Sequence, residues 1–273
     1  DILGRFSAGP AMAEIPAHIF REYDIRGLVE RDLDERSVGL IGRGIGTYLS
    51  RRGIGRISIG RDVRLSSGWC RDALLDGLVR AGTRVTDLGV VTTPMLYFSL
   101  FSMDVGGGVM ITGSHNPPDY NGFKIAEGRS TIYGEKIREV QEIIESGDFS
   151  RGRGSVAEAS VEEEYRRAVV ERIPMGGRRI KVVVDAGNGA TGPTSPRILR
   201  DLGVEVIPLY CEPDGRFPNH HPDPTLPEAL EDLRARTVGA GADAGIGFDG
   251  DGDRIGVVDE KGGVIWTDMR LIL

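Results

Sequence analysis

The stretch "RIKVVVDAGNGATG", residues 179 to 192, places a run of β-branched residues directly before a glycine-rich loop. A second stretch, "RISIGRDVRLSS" at residues 56 to 67, has the same order of strand residues and a Gly/Asp loop. In both regions a helical pattern, a second strand pattern and a later short strand with a polar loop follow. This alternation is typical of βαβ units. The sequence therefore predicts an α/β fold of two similar domains, each a mixed, mostly parallel sheet with helices on both faces.

The length and the loop composition indicate where these domains divide. A chain of 273 residues suits two domains. The Gly/Ser-rich stretch "GDFSRGRGSVAEAS" separates two helical patterns and predicts a boundary between them. We expect the first domain to span residues 14–155 and the second residues 156–260. Residues 1–13 are expected to be a tag or disordered, and residues 261–273 to be the start of a truncated third domain.

The composition argues against several classes of partner. A hydrophobic fraction of 40% and a charged fraction of 27% are typical of a soluble globular protein. The formal net charge of -7 provides no basic surface for nucleic acid. No apolar run approaches the roughly 18 residues that a membrane span requires. Cys70 and Cys211 are the only cysteines, which suits reduced thiols in the cytoplasm. We expect no nucleic-acid partner, no membrane contact and a cytoplasmic location.

The sharpest motif is "DGDGDR" at residues 249 to 254, where three aspartates alternate with glycines. Alternate side chains of an extended segment point the same way, so Asp249, Asp251 and Asp253 can converge on one cation. Their hard oxygen atoms suit Mg²⁺, Mn²⁺ or Ca²⁺. An EF-hand calcium loop would need glycine where Arg254 stands, and it would be flanked by helices. An acidic turn without a metal remains the simpler alternative.

The second polar loop follows an apolar strand in "VMITGSHNPPDYNGFK", residues 109 to 124. A hydrolase elbow would read G-x-S-x-G, which is absent here. Adjacent residues of an extended loop point apart, so His115 is expected to be poorly placed as a base for Ser114. Two interpretations remain, namely a serine that caps a turn before two prolines and a phosphoserine. A phosphoserine needs cationic partners, which a metal in the acidic loop and Lys124 would supply.

Six motifs of this chain resemble, in the same order, those of the α-D-phosphohexomutases. They are "FREYDIRG", "GRDVRLSS", "TGSHNPPDYNGFK", "VVDAGNGATG", "FPNHHPDPTLPEAL" and "GFDGDGDR". The first and fifth motifs are most similar to the bacterial phosphomannomutase/phosphoglucomutase branch of that family. The phosphoglucosamine mutase branch is the alternative.

The resemblance implies a role for each matching residue. Ser114 would be the phosphoserine, and one Mg²⁺ would be bound by Ser114 together with Asp249, Asp251 and Asp253. Further catalytic residues beside the transferred phosphoryl group would be His115, Lys124, Arg26 and Arg254. The substrate would be bound by Tyr23, Arg26, Lys124 and Arg254.

The resemblance also implies the reaction. Phosphate would move reversibly between C6 and C1 of mannose or glucose phosphate, through a hexose 1,6-bisphosphate intermediate, in a monomeric enzyme. Members of the family have four domains, so we expect this chain to be an incomplete fragment with little or no mutase turnover. A Mg²⁺-binding or phosphosugar-binding module without turnover is the alternative from another functional class.

Overall fold

The computed structural model describes residues 15–265 of the chain. The expected tag or disordered segment at residues 1–13 lies outside the described residues, as do the last eight residues of the expected third-domain start. Two sheets with flanking helices make up the described part, and most pairings between their long strands are parallel. The predicted α/β class with two similar units is confirmed.

Seven strands form the first sheet in the order β1-β5-β4-β2-β3-β7, with β6 paired to β5. Their bounds are Ile25–Leu28 (β1), Arg56–Arg61 (β2), Arg84–Val90 (β3), Gly107–Ile111 (β4), Tyr120–Glu127 (β5), Ser130–Thr131 (β6) and Ser155–Glu158 (β7). The strands β4, β2, β3 and β7 run parallel, whereas β5 is antiparallel to both β4 and β1. The sheet therefore extends to Glu158, three residues past the expected boundary.

Helices cover both faces of this sheet. One face carries α1 (Glu35–Ser50), α2 (Ser67–Arg80) and α4 (Glu135–Ser146), and the other carries α3 (Thr93–Ser102). The first two helices pack with almost no gap between their backbones. A Cβ atom on Gly77 would lie 2.2 Å from the carbonyl oxygen of Gly39, so a side chain at this position would push the two helices apart.

Helix α5 (Glu162–Arg172) links the two units and buries none of its residues. Its Tyr165 packs edge-on against Phe98 of α3, with ring centroids 5.5 Å apart. On its other side, Arg166 forms an ion pair with Asp201 of the second unit at 2.5 Å. The linker helix thus contacts both units.

Five strands form the second sheet in the order β12-β11-β10-β8-β9. Their bounds are Lys181–Asp185 (β8), Glu205–Leu209 (β9), Ala244–Phe248 (β10), Ile255–Asp259 (β11) and Val264–Ile265 (β12). Apolar residues of α6 (Ser195–Asp201) pack on one face, and those of α7 (Glu231–Gly239) pack on the other. Within residues 15–265, no helix is long and apolar enough to cross a membrane.

Candidate active site

Two loops meet at the interface of the two units. The first follows β4 and contains Ser114, and the second follows β10 and contains Asp249. The hydroxyl of Ser114 donates a hydrogen bond to Oδ2 of Asp249 at 2.8 Å, across 135 residues of sequence. A Cβ atom on Gly250 would lie 2.7 Å from the carbonyl oxygen of Ser114. The absence of a side chain at Gly250 therefore permits the close approach of the two loops.

Ser114 has a backbone conformation that few L-residues adopt. Its φ of 50° lies in the left-handed region, and its side chain is buried with 3% of the residue exposed. In this conformation Oγ of Ser114 lies 3.2 Å from Nδ1 of His115. The expectation that the two side chains point apart is wrong, because it assumed an extended loop. His115 is within hydrogen-bonding distance of the serine.

The three aspartates of the second loop gather as their alternation predicts. One carboxylate oxygen from each of Asp249, Asp251 and Asp253 lies within 4.8 Å of the others, a spacing that one metal ion could bridge. Asp249 and Asp251 are fully buried. Oδ1 of Asp251 has no hydrogen-bond partner within the described residues. A buried oxygen without a partner is costly, and a cation at this position would satisfy it. The donor set therefore fits a hard divalent ion.

The first unit supplies one cation and one hydroxyl hydrogen-bond donor to this acidic cluster. Nζ of Lys124 on β5 lies 2.7 Å from Oδ2 of Asp251 and 2.5 Å from Oδ2 of Asp253. The hydroxyl of Thr93, in the first turn of α3, donates to the same oxygen of Asp251 at 2.7 Å. The sequence did not predict a role for Thr93, because the stretch "TTP" indicates the N-terminus of a helix and not a contact with a distant loop.

The pKa values of Asp249 and Lys124 are raised in this cluster, whereas the pKa of His115 is lowered. Burial and the neighbouring charges of Asp251 and Asp253 raise the pKa of Asp249 well above its usual range. Burial alone would lower the pKa of Lys124, but the two carboxylates beside it raise that pKa. Burial and the positive charge of Arg254 lower the pKa of His115, so its ring is neutral at neutral pH.

Of the remaining predicted residues, Arg26 and Arg254 lie near this centre. The backbone N–H of Arg254 donates to Oδ1 of Asp249 at 3.0 Å, while its side chain is exposed. Arg26 on β1 forms an ion pair with Asp24, and its charge contributes to the lowered pKa of His115. Tyr23 is 74% exposed. The structure thus places Arg26 and Arg254 close to the site, and the role of Tyr23 stays a prediction.

Arg64 of the "GRDVRLSS" motif is a site residue that the sequence did not predict. The side chain is completely buried and donates a hydrogen bond to the carbonyl oxygen of Ser114 at 2.8 Å. Because arginine is almost never fully buried unless it is paired, composition gives no sign of such a position. The guanidinium packs against Gly113, where a Cβ atom would lie 2.5 Å from Cζ, but this contact joins residues that are far apart in the sequence.

Comparison with known protein families agrees with this arrangement. Residues 17–151 match the family model of phosphoglucomutase/phosphomannomutase, alpha/beta/alpha domain I. Residues 163–263 match the model of domain II of the same family. The first match covers every strand of the first sheet except β7, and the second covers every strand of the second sheet except β12.

Individual relatives are similar over nearly the whole chain. A phosphomannomutase/phosphoglucomutase of Pseudomonas aeruginosa is 47% identical over 259 residues, which are 95% of this chain and 56% of the relative. A phosphoglucomutase of Neisseria gonorrhoeae is 45% identical over 96% of this chain and 57% of the relative. A crystal structure of a family protein from Burkholderia thailandensis has a TM-score of 0.89 at 41% identity, over 92% of this chain and 56% of that one. The chain spans about half the length of the curated relatives it matches.

Proposed function

This chain belongs to the phosphoglucomutase/phosphomannomutase family, the α-D-phosphohexomutases, and we propose that it carries the phosphoserine and metal sites of a mutase for mannose or glucose phosphates. The observation that carries this proposal is the 2.8 Å contact between Oγ of Ser114 and the carboxylate of Asp249. It joins a nucleophilic oxygen to a cluster with the chemistry of a metal site. Under this proposal Ser114 exchanges a phosphoryl group with the C1 or C6 oxygen of the sugar, and hexose 1,6-bisphosphate is the intermediate.

Three aspartates and the phosphorylated serine would hold the metal. Asp249, Asp251 and Asp253 provide the carboxylate oxygens, and the oxygen of Asp251 that lacks a partner supports the fit. Mg²⁺ bound there would neutralise charge on the phosphoryl group during its transfer.

Neighbouring side chains of both units would supply the rest of the chemistry. The oxygen of Ser114 takes up a proton when its phosphoryl group leaves and loses one when the phosphoryl group returns. His115 is neutral and 3.2 Å away, so it is placed to handle that proton. Lys124 keeps its charge and would stabilise the phosphoryl oxygens. Arg26, Arg254 and Tyr23 would contact the sugar phosphate from the margin of the site.

The organisation of the protein is part of the proposal. We propose that residues 14–155 and 156–260 act as the two units, with the short β7 strand, which spans this boundary, completing the first sheet. The functional species would be a monomer. Since the chain spans about half the length of its relatives, the sugar preference is assigned from the names of those relatives and not from a residue of this site.

Intact-mass spectrometry after incubation with glucose 1,6-bisphosphate and Mg²⁺ tests the proposal. The wild-type chain is expected to gain one phosphate, and Ser114→Ala is expected to gain none. Ser130→Ala removes an exposed serine from the same sheet and serves as the control. The phosphorylated chain should then pass its phosphate to mannose 1-phosphate or glucose 1-phosphate in a slow single turnover, as expected of a chain with little or no steady-state mutase activity.

Two outcomes would point elsewhere. A wild-type chain that binds the bisphosphate without gaining mass would be a binding module and not a phosphotransferase. Faster transfer to glucosamine 1-phosphate than to either hexose phosphate would favour the phosphoglucosamine mutase alternative.

A further inference from the structure

We infer that Arg64 is a positioning residue that holds the Ser114 loop in shape and, through Phe217, fixes the second unit against it. This inference rests on the proposed function in one respect, namely that Ser114 is the phosphorylated residue. The geometry of the loop itself is independent of that function.

Every N–H group of the Arg64 guanidinium is used. A guanidinium has five such donors in a planar fork. Nε donates to Oδ2 of Asp62 at 3.2 Å. The other donors go to four carbonyl oxygens of one loop, those of Ser114, Asn116, Pro117 and Tyr120. A single side chain thus ties together the segment from Ser114 to Tyr120.

The contacts of Arg64 depend on the planar, forked shape of its guanidinium and not on its charge alone. A lysine ammonium is a compact point with three donors, so it cannot span four carbonyl oxygens and a carboxylate. The guanidinium also fills the space beside Gly113, where a Cβ atom would lie 2.5 Å from Cζ. Asp62, the anionic partner of Arg64, accepts the backbone N–H of Gly113 at 3.2 Å. Arg64 and Asp62 together therefore fix Gly113, where the loop begins, and the segment from Ser114 to Tyr120.

The second unit also covers the same guanidinium. Cζ of Arg64 lies 5.3 Å from the ring centroid of Phe217, a cation–π contact that is buried. A Cβ atom on Gly215 would lie 2.7 Å from Cα of Arg64. The ring of Phe217 also lies 3.7 Å from the Cβ position of Gly250, which is part of the acidic loop. One arginine is consequently in contact with the serine loop and with the segment that packs against the metal loop.

This arrangement makes Arg64 a positioning residue and not a catalytic one. Its contacts in the serine loop are to backbone carbonyl oxygens, including that of Ser114. Oγ of Ser114 points instead toward Asp249. The left-handed conformation of Ser114 is unfavourable for a residue with a side chain and persists only where surrounding contacts impose it. The Arg64 hydrogen bonds are those contacts.

Hydrogen exchange measured on the 273-residue chain tests the positioning role without relying on catalysis. In Arg64→Lys the hydrogen-bonded amides of Gly113, Ser114, Asn116 and Tyr120 are expected to exchange at least about tenfold faster than in the wild type. Losing hydrogen bonds to a charged group shifts an opening equilibrium by at least that factor. Arg61→Lys makes the same chemical change three residues earlier and should leave these amides unchanged.

A second variant keeps the test decisive if Arg64→Lys does not fold. Phe217→Leu retains Arg64 and removes only the aromatic cover, and it should also speed exchange in the serine loop. Wild-type exchange of the four amides in both folded variants would overturn the inference. So would wild-type exchange in Phe217→Leu when it alone folds.

A functional readout separates positioning from general stability. The rate constant for phosphorylation of Ser114 by glucose 1,6-bisphosphate should fall at least about tenfold in Arg64→Lys or Phe217→Leu. The Kd of the bisphosphate should stay within about twofold, because neither side chain is placed to contact the sugar. An unchanged rate constant would contradict the inference. If the wild-type chain is not phosphorylated at all, the proposed function fails, and the exchange measurement still decides the role of Arg64.

Discussion

Replacing Asp249 by asparagine is expected to stabilise the metal-free chain and to remove its response to Mg²⁺. The substitution keeps the size of the side chain and its hydrogen bonds. The amide oxygen can accept the N–H of Arg254 at 3.0 Å, and the amide nitrogen can donate to Oγ of Ser114 at 2.8 Å. The change therefore removes one negative charge and little else.

The size of the effect follows from the spacing of the three carboxylates. Two unit charges no more than 4.8 Å apart repel each other by at least about 3.5 kcal/mol at an effective dielectric constant of about 20. Lys124 bonds directly to Asp251 and Asp253, and its attraction offsets part of the repulsion. We expect Asp249→Asn to raise the free energy of unfolding by about 1–3 kcal/mol at neutral pH. For a chain of this length each kcal/mol corresponds to about 2–4 °C in Tm.

The sign agrees with the shifted pKa of Asp249. Burial and the two neighbouring carboxylates raise this pKa in the folded chain above its unfolded value. A carboxyl group shifted in this direction lowers stability as the pH rises above the unfolded pKa. The gain from asparagine should therefore be small at pH 4 and largest at neutral pH.

Thermal unfolding in EDTA and in Mg²⁺ provides the assay. The wild-type chain should gain about 2.7 kcal/mol when Mg²⁺ is at 100 times its Kd, and Asp249→Asn should gain far less. Asp119→Asn removes the same charge from an exposed position and should behave as wild type. A lower Tm for Asp249→Asn in EDTA, or an undiminished response to Mg²⁺, would refute the reasoning.

Three further outcomes follow from the structure. Burial alone would lower the pKa of His220, but Asp185 raises it through a 3.0 Å contact. This ion pair therefore stabilises the folded chain below about pH 6.5, and the stabilisation is lost as the pH rises through the folded pKa. Urea unfolding of His220→Gln should show a loss of about 1–3 kcal/mol at pH 6 and a smaller loss at pH 9; equal losses would contradict this. Gly250→Ala places a Cβ atom 2.7 Å from the carbonyl oxygen of Ser114 and should cost about 1–3 kcal/mol, whereas Gly239→Ala has free space and should not. Finally, a coupled assay for glucose 6-phosphate should detect little or no turnover by the 273-residue chain, and robust turnover would contradict the expectation that remote substrate contacts are needed.

Most of the fold and the centre of the site could be predicted from the sequence. Two β-branched runs before Gly/Asp loops were enough to predict two α/β units, because local periodicity encodes parallel strands and their helices. The alternation of aspartate and glycine at residues 249–254 was enough to predict a carboxylate cluster. Both features depend on residues that are close together in the sequence, so the sequence alone is enough to show them.

What could not be predicted depends on contacts between distant segments. The antiparallel strand β5 carries Lys124 beside the serine loop, yet "YNGFKIAE" has no strict alternation that would mark a strand. The left-handed conformation of Ser114 depends on Arg64, 50 residues earlier in the chain. Arginine is usually exposed, so nothing local distinguishes a buried one from the others.

The partners of Asp251 explain why the site exists only where the two units meet. This aspartate belongs to the second unit, but Oδ2 accepts hydrogen bonds from Thr93 and Lys124 of the first. The backbone N–H of Thr93 also donates to the carbonyl oxygen of Asp251 at 2.9 Å. A buried carboxylate without these donors would cost several kcal/mol, so the first unit stabilises the very conformation of the acidic loop that could bind a metal. The serine and the carboxylates are therefore assembled together, and a shift between the units would weaken both.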